Sequence, residues 1–302
     1  MNKDELQQCK NYFSIAGIVK GLENPSKNQG FEIGTIKNGL SKGKQYKSIK
    51  FKVQTSPENT IPVECFGMEL DNAYFYSKTL KKTIKAPWDK RNSLSKEGYL
   101  LIKPSFDLVQ ELHDELRDGE SVTITGEIDY QEYKVNDEVK KNTKFIIKSV
   151  KKATHEIDFE HPEFKEKNKF NQDLVVDDIS VDGDSIFING LIIDFKKEIK
   201  TACFEVDTKK VHKLFTKKVM SLKFGDFMRV NGIINYKVIQ EEVDGEWGTI
   251  FINDYKKSLE VLSVDEKSFE QGKYKQADLY GEDESDEFEE QFDDNELPFL
   301  ID

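Results

Sequence analysis

The chain has 302 residues, with 45 Lys and Arg against 57 Asp and Glu (net −12), 37% hydrophobic residues and a mean hydropathy of −0.65. That length allows two domains of ordinary size, that composition suits small, well-solvated domains better than one large core, and no apolar run approaches the length of a membrane span. Three cysteines and four histidines, none at metal-ligand spacing, exclude a disulfide framework and a zinc site, and the polar start "MNKDELQQCK" predicts a soluble cytoplasmic protein with no metal or cofactor.

The charge is unevenly placed. Twelve acidic residues fall between Asp278 and Asp302, where no Lys or Arg occurs, so the rest of the chain is neutral. Within that rest the basic excess lies in 1–155 and the acidic excess in 156–277. Such an asymmetry points to a polyanion partner at the front or an interaction tail at the back.

In chain order, "FSIAGIVKGL" (13–22) reads as a strand with Gly17 inside it. "KNGLSKGKQYKSIKFK" (37–52) reads as a glycine-tipped hairpin running into a strand. Its alternation sets Ile49, Phe51 and Val53 against Ser48, Lys50 and Lys52. Lys42, Lys44, Lys47, Lys50 and Lys52, with Tyr46 among them and no acid in the stretch, are candidate ligand-binding residues. "IPVECFG" (61–67) alternates again, with Ile61, Val63 and Cys65 opposite Pro62, Glu64 and Phe66.

A basic and aromatic insertion follows at about 70–104. "YFYSKTLKKTIKAPWDKR" (74–91) mixes Tyr74, Tyr76 and Trp88 with Lys81, Lys82, Lys85 and Arg91 around one acid, Asp89. A single nucleic-acid strand needs cations for phosphates and aromatic faces for bases in one groove. Lysine rather than arginine fits a grip on phosphate without base readout. The competing reading is that lysine-rich hairpins keep sheet edges soluble and that the aromatics are partly core.

"SFDLVQELHDELRDG" (105–119) predicts a helix with Leu108, Val109, Leu112 and Leu116 on one stripe and Gly119 as the stop. The strand "ESVTITGEIDYQEY" after it adds Tyr130, Tyr133 and Lys134 as candidates. Residues 1–155 then form the first domain and the main binding domain. "HEIDFEHPEFKEKNKFNQD" is charged and aperiodic around Pro162, and predicts a linker over 156–171.

Residues 172–265 repeat the pattern as an auxiliary domain. At an offset of 106 residues, Gly119 matches Gly225, Gly126 matches Gly232 and Tyr130 matches Tyr236, and the offset extends to Phe145 and Phe251. "SIFINGLIID" (185–194), with Gly190, is the partner of 13–22, and 208–226 carries a second helix. Short strands, mid-strand glycines and one helix between the third and fourth strands predict an all-β fold with minor α: two tandem OB-fold barrels, each a five-stranded Greek key. Residues 266–302 read as a disordered acidic tail. It ends in "DDNELPF", whose Asp293, Asp294, Leu297, Pro298 and Phe299 are candidates for partner binding.

Three stretches resemble the bacterial and phage single-stranded-DNA-binding protein (SSB) family: "VECFG", "LRDGESVTITGEIDYQEY" and the acidic tail with its "DDNELPF" tip. The resemblance implies that Phe66 and Tyr133 stack on bases, and that the tip recruits replication or recombination enzymes. It implies a DNA-binding protein without catalytic residues, protecting single-stranded DNA in replication, recombination and repair within a bacterial cell. The family has tryptophan seven residues before the "FG" glycine, where this chain has Thr60. The tandem arrangement and the insertion suggest a bacteriophage or mobile-element version. An RNA-binding or structural OB-fold protein is the alternative, with an OB-containing nucleic-acid enzyme behind it.

Overall fold

The computed structural model describes residues 6–23, 30–94, 99–136, 138–245 and 248–280, with side chains at 134–135, 138–139 and 239–254 outside the described set. The first half holds β1 (Asn11–Lys20), β2 (Gly30–Thr35), β3 (Gln45–Gln54), β4 (Thr60–Met68), β5 (Asn72–Ser77), β6 (Lys82–Pro87), α1 (Arg91–Leu94), β7 (Leu100–Leu101), α2 (Ser105–Glu115), β8 (Ser121–Val135) and β9 (Glu138–Lys152). The second holds β10 (Lys167–Asp182), β11 (Ser185–Ile193), β12 (Ile199–Asp207), α3 (Lys213–Met220), β13 (Phe227–Gly245), β14 (Gly248–Glu270) and α4 (Gln276–Tyr280). The fold is mostly β, as the alternation predicts.

Strand alternation sets the core. In β1, Phe13, Ile15 and Val19 point inward, and in β3 Ile49, Phe51 and Val53 do the same. One apolar cluster runs through both halves, so there is a single continuous core.

The sheet is also continuous. Its eleven strands run β11-β12-β14-β13-β10-β1-β8-β9-β4-β3-β2. Two further pairings, β1 with β3 and β10 with β11, bring each half back on itself. The two halves are not free-standing, because β1 and β10 pair edge to edge along Asn11–Ala16 and Lys167–Gln172 and join the strands of both into one large sheet. Phe13 faces Phe170 in that ladder. A Cβ on Gly126 would meet the Phe13 ring at 2.7 Å, and one on Gly232 would meet the Phe170 ring at 2.6 Å. Each phenylalanine thus packs on the repeat-matched glycine of its own half, and a local two-fold axis passes between them.

This symmetry corrects the alignment of the repeat. β1 corresponds to β10, not to β11, so 13–22 does not match 185–194. The 106-residue offset holds along β8 and β13 and then fails, because Gly126 lies against the Ile146 carbonyl and Gly232 against that of Glu260. Gly17 has its own reason. On one edge β1 pairs with β10 up to Ala16 and with β3 from Ile18, so the Gln54 carbonyl crosses where a Gly17 Cβ would stand, 2.1 Å away.

Segment boundaries also differ. β10 starts at Lys167, inside the stretch read as linker. The second half continues past 265: β14 runs to Glu270, Tyr274 is buried against Phe227, and Leu279 of α4 joins the core. Sequence periodicity fades there while packing continues, so the acidic tail begins after Tyr280. Residues 281–302, including Asp293, Asp294, Leu297, Pro298 and Phe299, lie outside the described residues. Among those described, no helix is long and apolar enough to cross a membrane.

Cys9 and Cys65 are buried, and burial pushes both thiols up to about 12. Cys203 is the exposed thiol, although partial burial raises it too. Iodoacetamide at pH 8 is expected to label Cys203 in the folded protein, and Cys9 and Cys65 only after denaturation. Mass spectrometry of tryptic peptides reads the order, and early labelling of Cys9 would contradict the burial.

Candidate nucleic-acid interface

The outward face of β3, β4, β8 and β9 carries the candidate residues. Alternation puts Tyr46, Lys50 and Lys52 outward on β3, and Glu64 and Phe66 outward on β4. Phe66 is 50% exposed, although its strand neighbours Cys65 and Gly67 are buried. Gly67 explains how the strand can be so close to α2. A Cβ there would lie 2.1 Å from the Phe106 nitrogen, so β4 backs onto the first turn of α2 and fixes Phe66 beside it.

Tyr46 supports that ring. The two rings stack with centroids 5.6 Å apart, and Tyr46 lies over Gly34, where a Cβ would be 2.6 Å from its ring. The Tyr46 hydroxyl donates to Glu32 Oε1 at 2.7 Å, and this bond holds the phenol pKa above its usual value.

Cations flank the rings. Lys144 Nζ lies 3.0 Å and Lys50 Nζ 3.8 Å from the Glu64 carboxylate, and Lys148 Nζ lies 3.0 Å from Glu127. Lys52 and Lys42 are exposed. Farther along this face Tyr133 is 49% exposed and pairs in register with Lys140. Phe66 extends the parallel register of Glu64 with Ile146 to the level of Lys148. At about 3.4 Å per residue, the eight residues from Lys148 to Lys140 separate the two rings by about 27 Å. One planar ligand cannot lie on both rings.

The insertion is a small body of its own. β6, β5 and β7 form a separate three-stranded sheet over Phe75, Ala73 and Ala86. Tyr74 and Tyr76 lie on its exposed face, with Lys85 paired to Tyr74 and Lys81 and Lys82 exposed at the hairpin tip. Trp88 is half core: it packs on that cluster, meets Phe106 edge-on at 6.0 Å, and carries the Arg91 guanidinium 4.3 Å from its ring. Between this body and β4 lies a groove of about 700 Å³, lined by Phe66, Tyr74, Trp88, Lys103, Lys148 and others. Phe195, in the turn between β11 and β12, lines it from the second half.

Three candidates sit elsewhere. Tyr130 is buried; its hydroxyl donates to Gln172 Oε1 at 3.0 Å, its ring meets Phe204 edge-on, and burial drives its pKa far up. Its repeat partner Tyr236 likewise packs against Phe145 of the other half. Both tyrosines bind the halves together, and neither faces solvent as a stacking platform. Lys47 points to α2: its Nζ donates to Gln110 Oε1 at 2.8 Å and lies 4.3 Å from the Phe106 ring centroid. Lys44 is held by Asp71 at 2.7 Å, and that hydrogen bond keeps the Asp71 carboxyl below its usual range. The Lys134 side chain lies outside the described residues. Sequence reasoning does not single out Phe195, whose only trace there is a large apolar residue in a tip followed by two lysines.

The second half has no equivalent surface among the described residues. Ser48 faces Phe66 in the first half and Ser185 faces Asp207 in the second, so a carboxylate stands at the position of Phe66. Its neighbour Glu205 is gripped by Lys256 at 2.7 Å, and Glu260 by Lys210 at 2.8 Å. Burial pushes the Glu205 carboxyl up, but hydrogen bonds from Lys256 and Ser258 outweigh it and leave the pKa below normal. Among the described residues, no three His, Cys, Asp or Glu side chains are placed to hold a metal ion.

No curated protein matches the chain. Solved structures similar to it include the wild-type single-stranded DNA binding protein from Thermus aquaticus (9% identity, TM-score 0.40, covering 86% of this chain and 93% of that one). A deletion mutant of that protein gives 11% identity and a TM-score of 0.41 over 86% and 95% of the two chains. The small single-stranded DNA-binding protein from Streptomyces coelicolor gives 8% identity and 0.21 over 47% and 94%. A family model described as YorF matches residues 10–295, and the chain belongs to the YorF family.

Proposed function

We propose that the protein binds single-stranded DNA with little sequence preference, through the outward face of the first half. The observation that carries this is the half-exposed Phe66, buttressed by Tyr46 and flanked by Lys50, Lys144 and Lys148. An outward aromatic ring among lysines is what base stacking with phosphate neutralisation requires. In this reading each returning ring of strands is a five-stranded OB barrel, the first binding DNA and the second auxiliary. The acidic tail and its Leu297-Pro298-Phe299 tip recruit replication or recombination enzymes inside the host cell of a bacteriophage. The protein acts as a binder and not as an enzyme.

Fluorescence anisotropy with labelled oligo-dT, oligo-rU and duplex DNA over a salt series tests the reading. Oligo-dT should bind most tightly, and its affinity should fall as salt rises because counterions are released. Equal or tighter binding to duplex would refute it, and preference for oligo-rU would move it to RNA. Glu64 sharpens the test, because its carboxylate competes with phosphate for two lysines. Glu64→Gln should tighten oligo-dT binding at low salt and steepen the logarithmic salt slope by about 0.7 for each released lysine. An unchanged slope would mean that Lys50 and Lys144 do not meet phosphate.

A further inference from the structure

The tip that brings Phe195 to the groove is built to hold it still. The turn between β11 and β12 is closed by Asp194, whose nitrogen donates to the Glu198 carbonyl at 2.9 Å. The Asp194 Oδ1 accepts from the Lys196 and Glu198 nitrogens at 2.7 and 3.0 Å. Lys197 takes a left-handed φ of 62° and ties its Nζ to the Leu6 carbonyl at 2.5 Å. Phe195 itself is 71% exposed, with Lys196 Nζ 5.6 Å from its ring. Among the described residues, Phe195 joins no part of the apolar core, and its pinned turn stands beside the other half's aromatic groove.

We infer that the groove is a base-binding subsite assembled from both halves, in which one nucleobase of a single strand is held among Phe66, Tyr74 and Phe195. This rests on the single-stranded-DNA reading and adds to it a contribution from the second half. The groove, at about 700 Å³, lies within the roughly 300–1,000 Å³ of small-molecule sites. Its walls are aromatic, and Lys103 and Lys148 stand on its lining, so a flat apolar ring tethered to a phosphate suits it. Tyr46 supports Phe66 from outside and is not part of the lining. A base entering here leaves the path along β9 toward Tyr133 for the neighbouring nucleotides. The second half, with Asp207 where a stacking ring would be, then serves the first by lending one side chain.

The test compares Phe195→Ala with the parent protein on labelled oligo-dT, oligo-rU and an abasic strand of equal length. Leu214→Ala serves as control, since Leu214 is 69% exposed on α3 and lines no part of the groove. Loss of one stacking face is expected to weaken oligo-dT binding about tenfold. The abasic strand and Leu214→Ala should be unaffected. Phe66→Ala with Phe195→Ala should cost less than the product of the single effects, because both rings hold one base. If Phe195→Ala binds oligo-dT like the parent, the subsite is refuted while the DNA reading stands. If the parent binds no oligo-dT, or prefers oligo-rU, the DNA reading itself fails and this subsite with it.

Discussion

Phe66→Ala is expected to weaken oligo-dT binding by about 5- to 150-fold, the range that loss of roughly 1–3 kcal/mol of stacking gives. The fold should survive, since half of the ring is already in solvent and no buried polar group loses a partner. The salt slope should hardly change, because no cation is removed; Lys50→Ala with Lys144→Ala should instead flatten it. Thermal unfolding alongside anisotropy separates the outcomes. A drop in melting temperature with unchanged affinity would make Phe66 a packing residue and remove the centre of the proposed interface.

A second large effect concerns the fold. Gly232→Ala is expected to destabilise the protein by roughly 3–5 kcal/mol, since the added Cβ would stand 1.9 Å from the Glu260 carbonyl oxygen and 2.6 Å from the Phe170 ring. Backbone on one side and a buried ring on the other leave nothing flexible to yield. Gly126→Ala should do the same in the first half, where an added Cβ would stand 2.0 Å from the Ile146 carbonyl oxygen. Gly190→Ala is the contrast: its nearest neighbours are side chains at 3.2–3.4 Å rather than backbone, so a smaller cost of roughly 1–3 kcal/mol is expected. Urea denaturation of the three variants checks the order. Equal costs at all three positions would show that close backbone approach is not what selects glycine.

Much of the interface is legible from strand parity. Tyr46, Lys50, Lys52 and Phe66 stand out of phase with the apolar residues of their strands, and each faces outward. Parity also reads Tyr130 correctly, in phase with Val122, Ile124 and Ile128, and buried. Likewise Lys47 shares the phase of Ile49, Phe51 and Val53, and its amine ends against α2. Composition makes both of them binding candidates, and the alternation of their strands argues against it. The matched glycines locate the repeat, but its longer second hairpin breaks the constant offset. Phe195 cannot be placed from sequence, because its position beside Phe66 depends on how two segments far apart in the chain meet across β1 and β10.

The pairing of β1 with β10 has a further consequence. An assembly of two identical subunits comes apart on dilution, and its stability depends on protomer concentration. Here the two halves are covalently joined, so their association is intramolecular and persists when the protein is scarce. Identical subunits must also carry every substitution twice, once on each side of the axis. In one chain the two sides are inherited separately, so Asp207 can occupy the place of Phe66 without cost to Phe66, and the two halves can diverge.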